Sequence, residues 1–223
     1  MEGKVITMSN EAKVLGGISL LTIIIVILAA LSFGGQSSPQ KENIEPIDQK
    51  ILVRDDSYKI ESPGATITVV EFLDFECEAC EAAYPTVEQI RKDYKGKINF
   101  VVRYFPLHKN SVLAAKAAES AGEQGKFWEM YSKLFENQKE WGEKTEPQTE
   151  LFTKYAEDLE LDVDKFKEGL ESKAFEAKVN RDKEDGIKAG VQGTPTFFIN
   201  GVLAGNVLSY EEFKSKIDTE LNK

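Results

Sequence analysis

The chain of 223 residues carries 28 Lys and Arg against 38 Asp and Glu, a net charge of -10, with one His and two Cys. At about 150 residues per domain, this length suggests one domain plus an attached segment, or one domain with an insertion. The acidic balance argues against nucleic-acid binding, because no local basic patch offsets it. Two Cys cannot build a disulfide scaffold or a four-ligand structural zinc site within one chain, and one His excludes a His-rich metal centre.

Apolar residues make up 41% of the chain although its mean hydropathy is -0.34, so the apolar content is locally concentrated. It sits at residues 14–33, VLGGISLLTIIIVILAALSF, a run without a charge and close to the ~20 residues that span a bilayer as a helix. The segment reads as a transmembrane signal-anchor after a short cytoplasmic stretch, 1–13. A cleaved signal peptide ending near Ala30-Leu31-Ser32 is the alternative, though its apolar region normally runs only about 7–15 residues. Lys4 and Lys13 before the run nearly balance Lys41 and Lys50 after it, so the positive-inside count does not orient it. No Cys directly follows the run, which removes a lipoprotein anchor. Residues 34–50, rich in Gly, Ser, Pro and charge, read as a flexible linker. Glu2, Glu11, Lys4 and Lys13 cancel, so the whole negative balance lies beyond residue 40.

In chain order, residues 51–54 suggest a short apolar strand, and Pro63-Gly64 a turn. Residues 67–73, ITVVEFL, predict a strand covered on both faces. After Asp74-Phe75-Glu76, the tetrapeptide Cys77-Glu78-Ala79-Cys80 opens a helical stretch to about Tyr94. Residues 97–104, KINFVVRY, predict a second central strand. From 111 to 190 the pattern is helical, punctuated by Gly125, Gly142, Pro147 and Gly190. Phe127, Trp128, Tyr131 and Phe135 recur at helical spacing as core, a substrate groove being the other reading, and the acidic stretch 157–160 is a solvated face. A strand returns at 196–199, Asn200-Gly201 predicts a tight hairpin turn, and 210–221 a final amphipathic helix. The order is β–α–β, helices, then β–β–α, an α/β chain.

Chemistry concentrates at Cys77-x-x-Cys80 on a strand-to-helix junction. Two thiols at this spacing can close a disulfide, and the first faces the unpaired N–H groups and positive end of the helix, which stabilise a thiolate. A thiolate is the species that attacks disulfides. A structural disulfide and half of an intermolecular metal site are the competing readings.

The runs VVEFLDFECEAC, FPLH, AGEQGKFWEMYSKLFENQ and GVQGTPTFFING together resemble the DsbA-like branch of the thioredoxin superfamily, over residues 51–223. The resemblance implies a thioredoxin fold with a helical domain inserted at about 107–190. It implies disulfide exchange with reduced secreted proteins outside the cytoplasm, with Cys77 as nucleophile and Cys80 as resolver, no cofactor, and a quinone-linked membrane partner that reoxidises the pair. Pro195, after Thr194, matches the family's cis-proline, which faces the disulfide and leaves the preceding backbone free to pair with a bound peptide. Glu71 matches a buried acid beneath the redox pair. A lone carboxylate in ITVVEFL is costly unless functional or at an exposed strand end, and a buried one could relay the proton of Cys80.

The sequence departs from the family between the cysteines, where Glu78-Ala79 replaces the frequent Pro-His. Without that imidazolium, and with Glu76, Glu78 and Glu81 alongside, the thiol pKa should rise. The expected value lies below that of a free thiol but above ~3.5, with a potential more reducing than about -120 mV. His108 reads as a solvated loop histidine, or less simply as a groove or metal ligand. Three functions follow: an anchored oxidase of secreted or membrane proteins, a reductase or isomerase fed by a membrane electron donor, and a peptide-binding, chaperone-like module with a structural disulfide.

Overall fold

The run ITVVEFL forms strand β2 (Ile67–Leu73), in which every residue except Thr68 is buried. In this computed structural model, which describes residues 47–223, β2 is the centre of a five-stranded sheet. Its companions are β1 (Lys59–Ile60), β3 (Ile98–Tyr104), β4 (Thr196–Ile199) and β5 (Val202–Gly205), in the order β1-β3-β2-β4-β5. Strands β2 and β3 run parallel, joined through helix α2 (Glu78–Asp93), and the remaining pairs are antiparallel. Asn200 and Gly201 make the β4–β5 turn with φ of 50° and 84°, the left-handed pair that a two-residue hairpin needs. The membrane-spanning helix expected at 14–33 lies outside the described residues. No helix among the described residues is long and apolar enough to cross a membrane.

The expected strand at 51–54 is replaced by a one-turn helix, α1 (Gln49–Leu52). The local reason is Asp48, whose side chain accepts from Lys50 N at 2.9 Å, the capping arrangement of a helix start. The long-range reason is Arg103 on β3, whose Nη1 donates to the carbonyls of Ile51 and Leu52 at 2.7 and 2.8 Å. Those carbonyls therefore have partners without a neighbouring strand. Ile47, within the stretch read as linker, donates its N–H to Gly201 O at 2.8 Å and so is tied to the hairpin turn.

Between β3 and β4 the chain forms α3 (Ser111–Glu123), α4 (Phe127–Glu136), α5 (Gln138–Trp141), α6 (Thr149–Asp158), α7 (Val163–Leu170) and α8 (Lys173–Lys188). Helix α9 (Tyr210–Leu221) follows β5, and its Ser209–Glu212 capping box satisfies the first-turn N–H groups. Alternation along the strands divides the core. Ile67, Val69, Leu73, Phe100 and Val102 join one cluster with Val87, Ile90, Phe213 and Ile217, and Val70, Phe72, Val101 and Phe198 join another with Leu52, Ala189 and Val191. Phe127, Tyr131 and Phe135 are buried as expected, and Trp128 packs against the same core.

Helix α8 closes over the second face through charge. Arg103, fully buried, donates through Nη2 to Asp182 and Asp185, each at 2.8 Å, and Arg54 holds Asp185 through two donors at 2.8 and 2.9 Å. Lys178 and Tyr104 converge on Glu119 at 2.6 and 2.7 Å, joining α8, β3 and α3. Removing one partner of a buried ion pair strands the other charge. Arg103→Leu should therefore cost about 3–5 kcal/mol in urea unfolding, whereas Arg54→Ala, at a partly exposed position, should cost about 1 kcal/mol or less. Equal losses for the two variants would show that burial does not set the strength of this network.

Candidate active site around Cys77 and Cys80

Strand β2 ends at Leu73, and four residues later Cys77 stands at the N-cap of α2 with an extended backbone, φ -76° and ψ 122°. No side chain caps the helix, so its first N–H groups are left to the sulfur. Cys77 lies just beneath the surface, 9% exposed, and Cys80 one turn on is fully buried at 0%. Both thiols are free. The Thr194–Pro195 bond is cis, and as a thiol Cys77 Sγ donates to the Thr194 carbonyl at 3.4 Å. The Thr194 hydroxyl, whose buried Oγ1 has no hydrogen-bond partner among the described residues, also acts to lower the Cys77 thiol.

The two sulfurs differ in acidity for physical reasons. Cys77 is lowered to about 5, first by the hydrogen bond from Cys80, against partial burial, and further by Thr194 and the N–H groups of Cys80 and Ala79. Cys80 is raised well above a free thiol, first by burial, then by its bond to Cys77 and by the charges of Cys77 and Glu71. The pair thus divides into an acidic outer thiol and an inner thiol that holds its proton.

The value for Cys77 falls inside the window expected from sequence, but the carboxylates expected to raise it do not govern it. Glu76 is buried and turned inward, its Oε2 accepting from Asn110 N at 2.5 Å. Glu78 is exposed, and Glu81 faces Lys139 at 3.7 Å. Hydrogen bonds at contact distance outweigh charges that are screened or otherwise paired.

Glu71 lies in mid-strand, paired in register with Val102 and Phe197, and is 1% exposed. It is a buried acid and not a strand-end carboxylate. Burial pushes its pKa up to about 8, against the opposing pull of the Tyr131 hydroxyl, 3.2 Å away, and of Arg91. Tyr131, read from sequence as core, is therefore also the hydrogen-bond partner of this acid.

Three residues that sequence reasoning missed or read differently hold the site's frame. Asp74 is buried, and its carboxylate accepts from Glu76 N at 2.9 Å, Leu107 N at 2.8 Å and Ser111 Oγ at 2.8 Å, with His108 Nδ1 at 2.7 Å. Its own carbonyl accepts from Cys77 N at 3.1 Å. Gln138, on α5, donates to the carbonyls of Phe75 and Cys77 at 2.7 and 3.0 Å. His108 is therefore pinned to this frame and is not simply a solvated loop histidine. No group of residues suited to hold a metal ion occurs among the described residues. A polar residue directly after a buried strand was the available sign for Asp74; nothing local marked Gln138.

The family described as Thioredoxin matches residues 56–219 of the chain. The probable disulfide bond formation protein D of Bacillus cereus is 33% identical over 96% of this chain and 99% of that protein. The crystal structure of BdbD from Bacillus subtilis, in its oxidised form, aligns with a TM-score of 0.68 at 30% identity, covering 75% of this chain and 94% of that one. The Na(+)/H(+) antiporter NhaA 3 of Salinispora tropica is 40% identical over 70% of this chain, but the match spans only 23% of that longer protein.

The raised pKa of Glu71 carries a stability prediction. The folded protein retains its proton to about pH 8, whereas an ordinary carboxylate loses it near 4.5. Between these values unfolding releases a proton, so stability falls as pH rises, by about 1.4 kcal/mol per unit. Cys77 acts oppositely, since its lowered pKa makes stability of the reduced protein rise with pH above about 5. In the oxidised protein, where the thiols do not titrate, the difference between Glu71→Gln and wild type should isolate the Glu71 slope. Parallel denaturation curves from pH 5 to 8 would place the titration of Glu71 elsewhere.

Proposed function

The chain belongs to the DsbA-like branch of the thioredoxin superfamily, and on that premise we propose that it is an extracytoplasmic thiol-disulfide oxidoreductase that oxidises cysteine pairs in secreted or membrane proteins. The observation that carries this reading is the unequal acidity of the two thiols, about 5 for Cys77 and well above a free thiol for Cys80. A structural disulfide has no use for such a division. Exchange requires it, because the outer sulfur must be a good leaving group and attacking group while the inner one resolves.

In the forward direction a client thiolate attacks Sγ of Cys77 in the Cys77–Cys80 disulfide. The S–S bond breaks, its electron pair passes to Cys80, and that sulfur takes up a proton. Glu71, buried in the middle of β2 and protonated up to about pH 8, is the group assigned to exchange that proton. A second client thiolate then attacks the client sulfur of the mixed disulfide and expels Cys77 as a stabilised thiolate. The client loses two electrons and gains a disulfide, and the enzyme is left as a dithiol. A membrane partner that passes the two electrons to a quinone restores it.

The acidity of the outer thiol supports a direction for the exchange. Stabilising Cys77 as an anion stabilises the reduced enzyme, so the disulfide is the better oxidant. At about 5 the thiol lies between the thioredoxin value near 7 and the DsbA value near 3.5. The potential should accordingly fall between about -270 and -120 mV, which supports oxidation over reduction. The cis Pro195 and the Thr194 carbonyl, 3.4 Å from Cys77 Sγ, are the proposed edge for the client backbone. The uncharged run at 14–33 supports a tether to the membrane, and the thiol chemistry, not the flanking charges, supports an outer-side domain.

Trapping tests the assignment. Cys80→Ala should accumulate mixed disulfides with client proteins through Cys77 on non-reducing gels, and Cys77→Ala should not. Adducts confined to Cys77→Ala would reverse the two roles, and adducts in neither variant would remove the exchange activity.

A further inference from the structure

We propose that His108 is the electrostatic partner of the Cys77 thiolate, an imidazolium supplied from the loop after β3 instead of from between the two cysteines. The geometry begins with Asp74. Its carboxylate is completely buried, and among the described residues the one cationic side chain within 4 Å is His108, whose Nδ1 lies 2.7 Å from Oδ2. The other donors to Asp74 are neutral: two backbone N–H groups and the Ser111 hydroxyl. A buried carboxylate with one ionisable partner favours the charged form of that partner. The Ser111 hydroxyl also accepts from His108 N at 2.9 Å, which fixes the loop beneath the ring.

The same aspartate fixes the thiol. Its carbonyl accepts from Cys77 N at 3.1 Å and Oδ1 holds Glu76 N at 2.9 Å, so the carboxylate and the sulfur-bearing residue share one turn, to which the imidazole is bonded at 2.7 Å. The charged groups around His108 are Asp74, Glu76 and Cys77 from the β2–α2 turn, Lys109 beside it in its own loop, and Lys183 from α8, whose Nζ is engaged by Pro106 O at 2.8 Å. Lys144 meets the loop through its carbonyl, bonded to Asn110 Nδ2. Partial burial opposes charge on His108, but the Asp74 bond and charge, and then the charges of Cys77 and Glu76, raise its pKa above the ordinary value. Cys80, Thr194 and the helix N–H groups act on the thiolate at contact distance; His108 adds a longer-range attraction.

The consequence is a pH-dependent poise. Below the His108 midpoint and above that of Cys77 the thiolate and imidazolium coexist, and the reduced state gains. Above the His108 midpoint the ring is neutral, that gain is lost, and the disulfide becomes a weaker oxidant. His108 acts here as a positioning charge, since it works on Cys77 and not on the client.

This inference rests on Cys77 as the attacking thiol, yet the two fail separately, because a thiol titration needs no client. In the reduced protein, His108→Gln should raise the Cys77 midpoint, read by thiolate absorbance, by about half a unit to one unit. The equilibrium constant with glutathione should shift about three- to tenfold toward a more reducing pair. His108→Lys, which keeps the charge at a partly exposed position, should recover most of both changes. By reciprocity the imidazole midpoint of His108, followed by NMR, should fall in Cys77→Ser. Equal shifts in the Gln and Lys variants, or an imidazole midpoint identical in wild type and Cys77→Ser, would overturn the assignment.

Discussion

The buried carboxylate of Asp74 is the constraint on which the site's geometry depends. It stands where β2 leaves the sheet, the point at which the backbone loses its ladder partners and must find others. One oxygen holds Glu76 N, and the other gathers Leu107 N, His108 Nδ1 and Ser111 Oγ. The turn that presents Cys77 and the segment that opens the helical insertion are thereby a single hydrogen-bonded unit. Losing the carboxylate would orphan two buried donors, Glu76 N and Ser111 Oγ, each costing on the order of 1–3 kcal/mol. Asn110 and Gln138 complete the frame by holding the Glu76 carboxylate and the carbonyls of Phe75 and Cys77. The insertion thus supplies donors that the turn cannot find within itself.

Given that frame, the acidity of Cys77 is a matter of distance. A thiolate at an uncapped helix start meets N–H and S–H donors directly, in a site where little water competes. The neighbouring glutamates act through solvent or are engaged elsewhere, so their sign matters less than their count suggests. Cys80 shows the converse: placed one turn inward, it has burial and two nearby negative groups against ionisation. The strand that leads into the pair carries Glu71 buried in its middle, so the acid assigned to serve the inner thiol comes from the element directly before it.

Much of the fold was legible because its determinants are local. The largely apolar runs at 67–73 and 98–104, the Asn200-Gly201 turn and the strand-to-helix position of Cys77 each follow from a few adjacent residues. The one-turn helix at Gln49–Leu52 was not, since its carbonyls are satisfied by Arg103, 51 and 52 residues away. Arg103 itself sits inside an apolar run where no periodicity marks it, and its partners arrive on α8, about 80 residues later. The site divides in the same way. The CxxC pair announces itself, whereas the bonds of Asp74 to His108 and of Gln138 to Cys77 span 34 and 61 residues. Reading His108 as solvated followed from its loop setting; only the sheet geometry brings that loop beside the end of β2.

Strand direction has one further consequence. Thr196 pairs with Phe72 near the thiols, and Ile199 pairs with Val69 toward the other end of β2. The Asn200-Gly201 turn therefore lies past the edge of the sheet remote from Cys77, and Ile47 is bonded there, to Gly201 O at 2.8 Å. At about 3.3 Å per residue, the six steps of β2 separate that point from the reactive end by about 20 Å. Ile47 thus lies at one pole of the sheet and the thiols at the other. The antiparallel β4 makes this unavoidable: the strand that brings Pro195 to the cysteines must run away from them and end at the opposite pole.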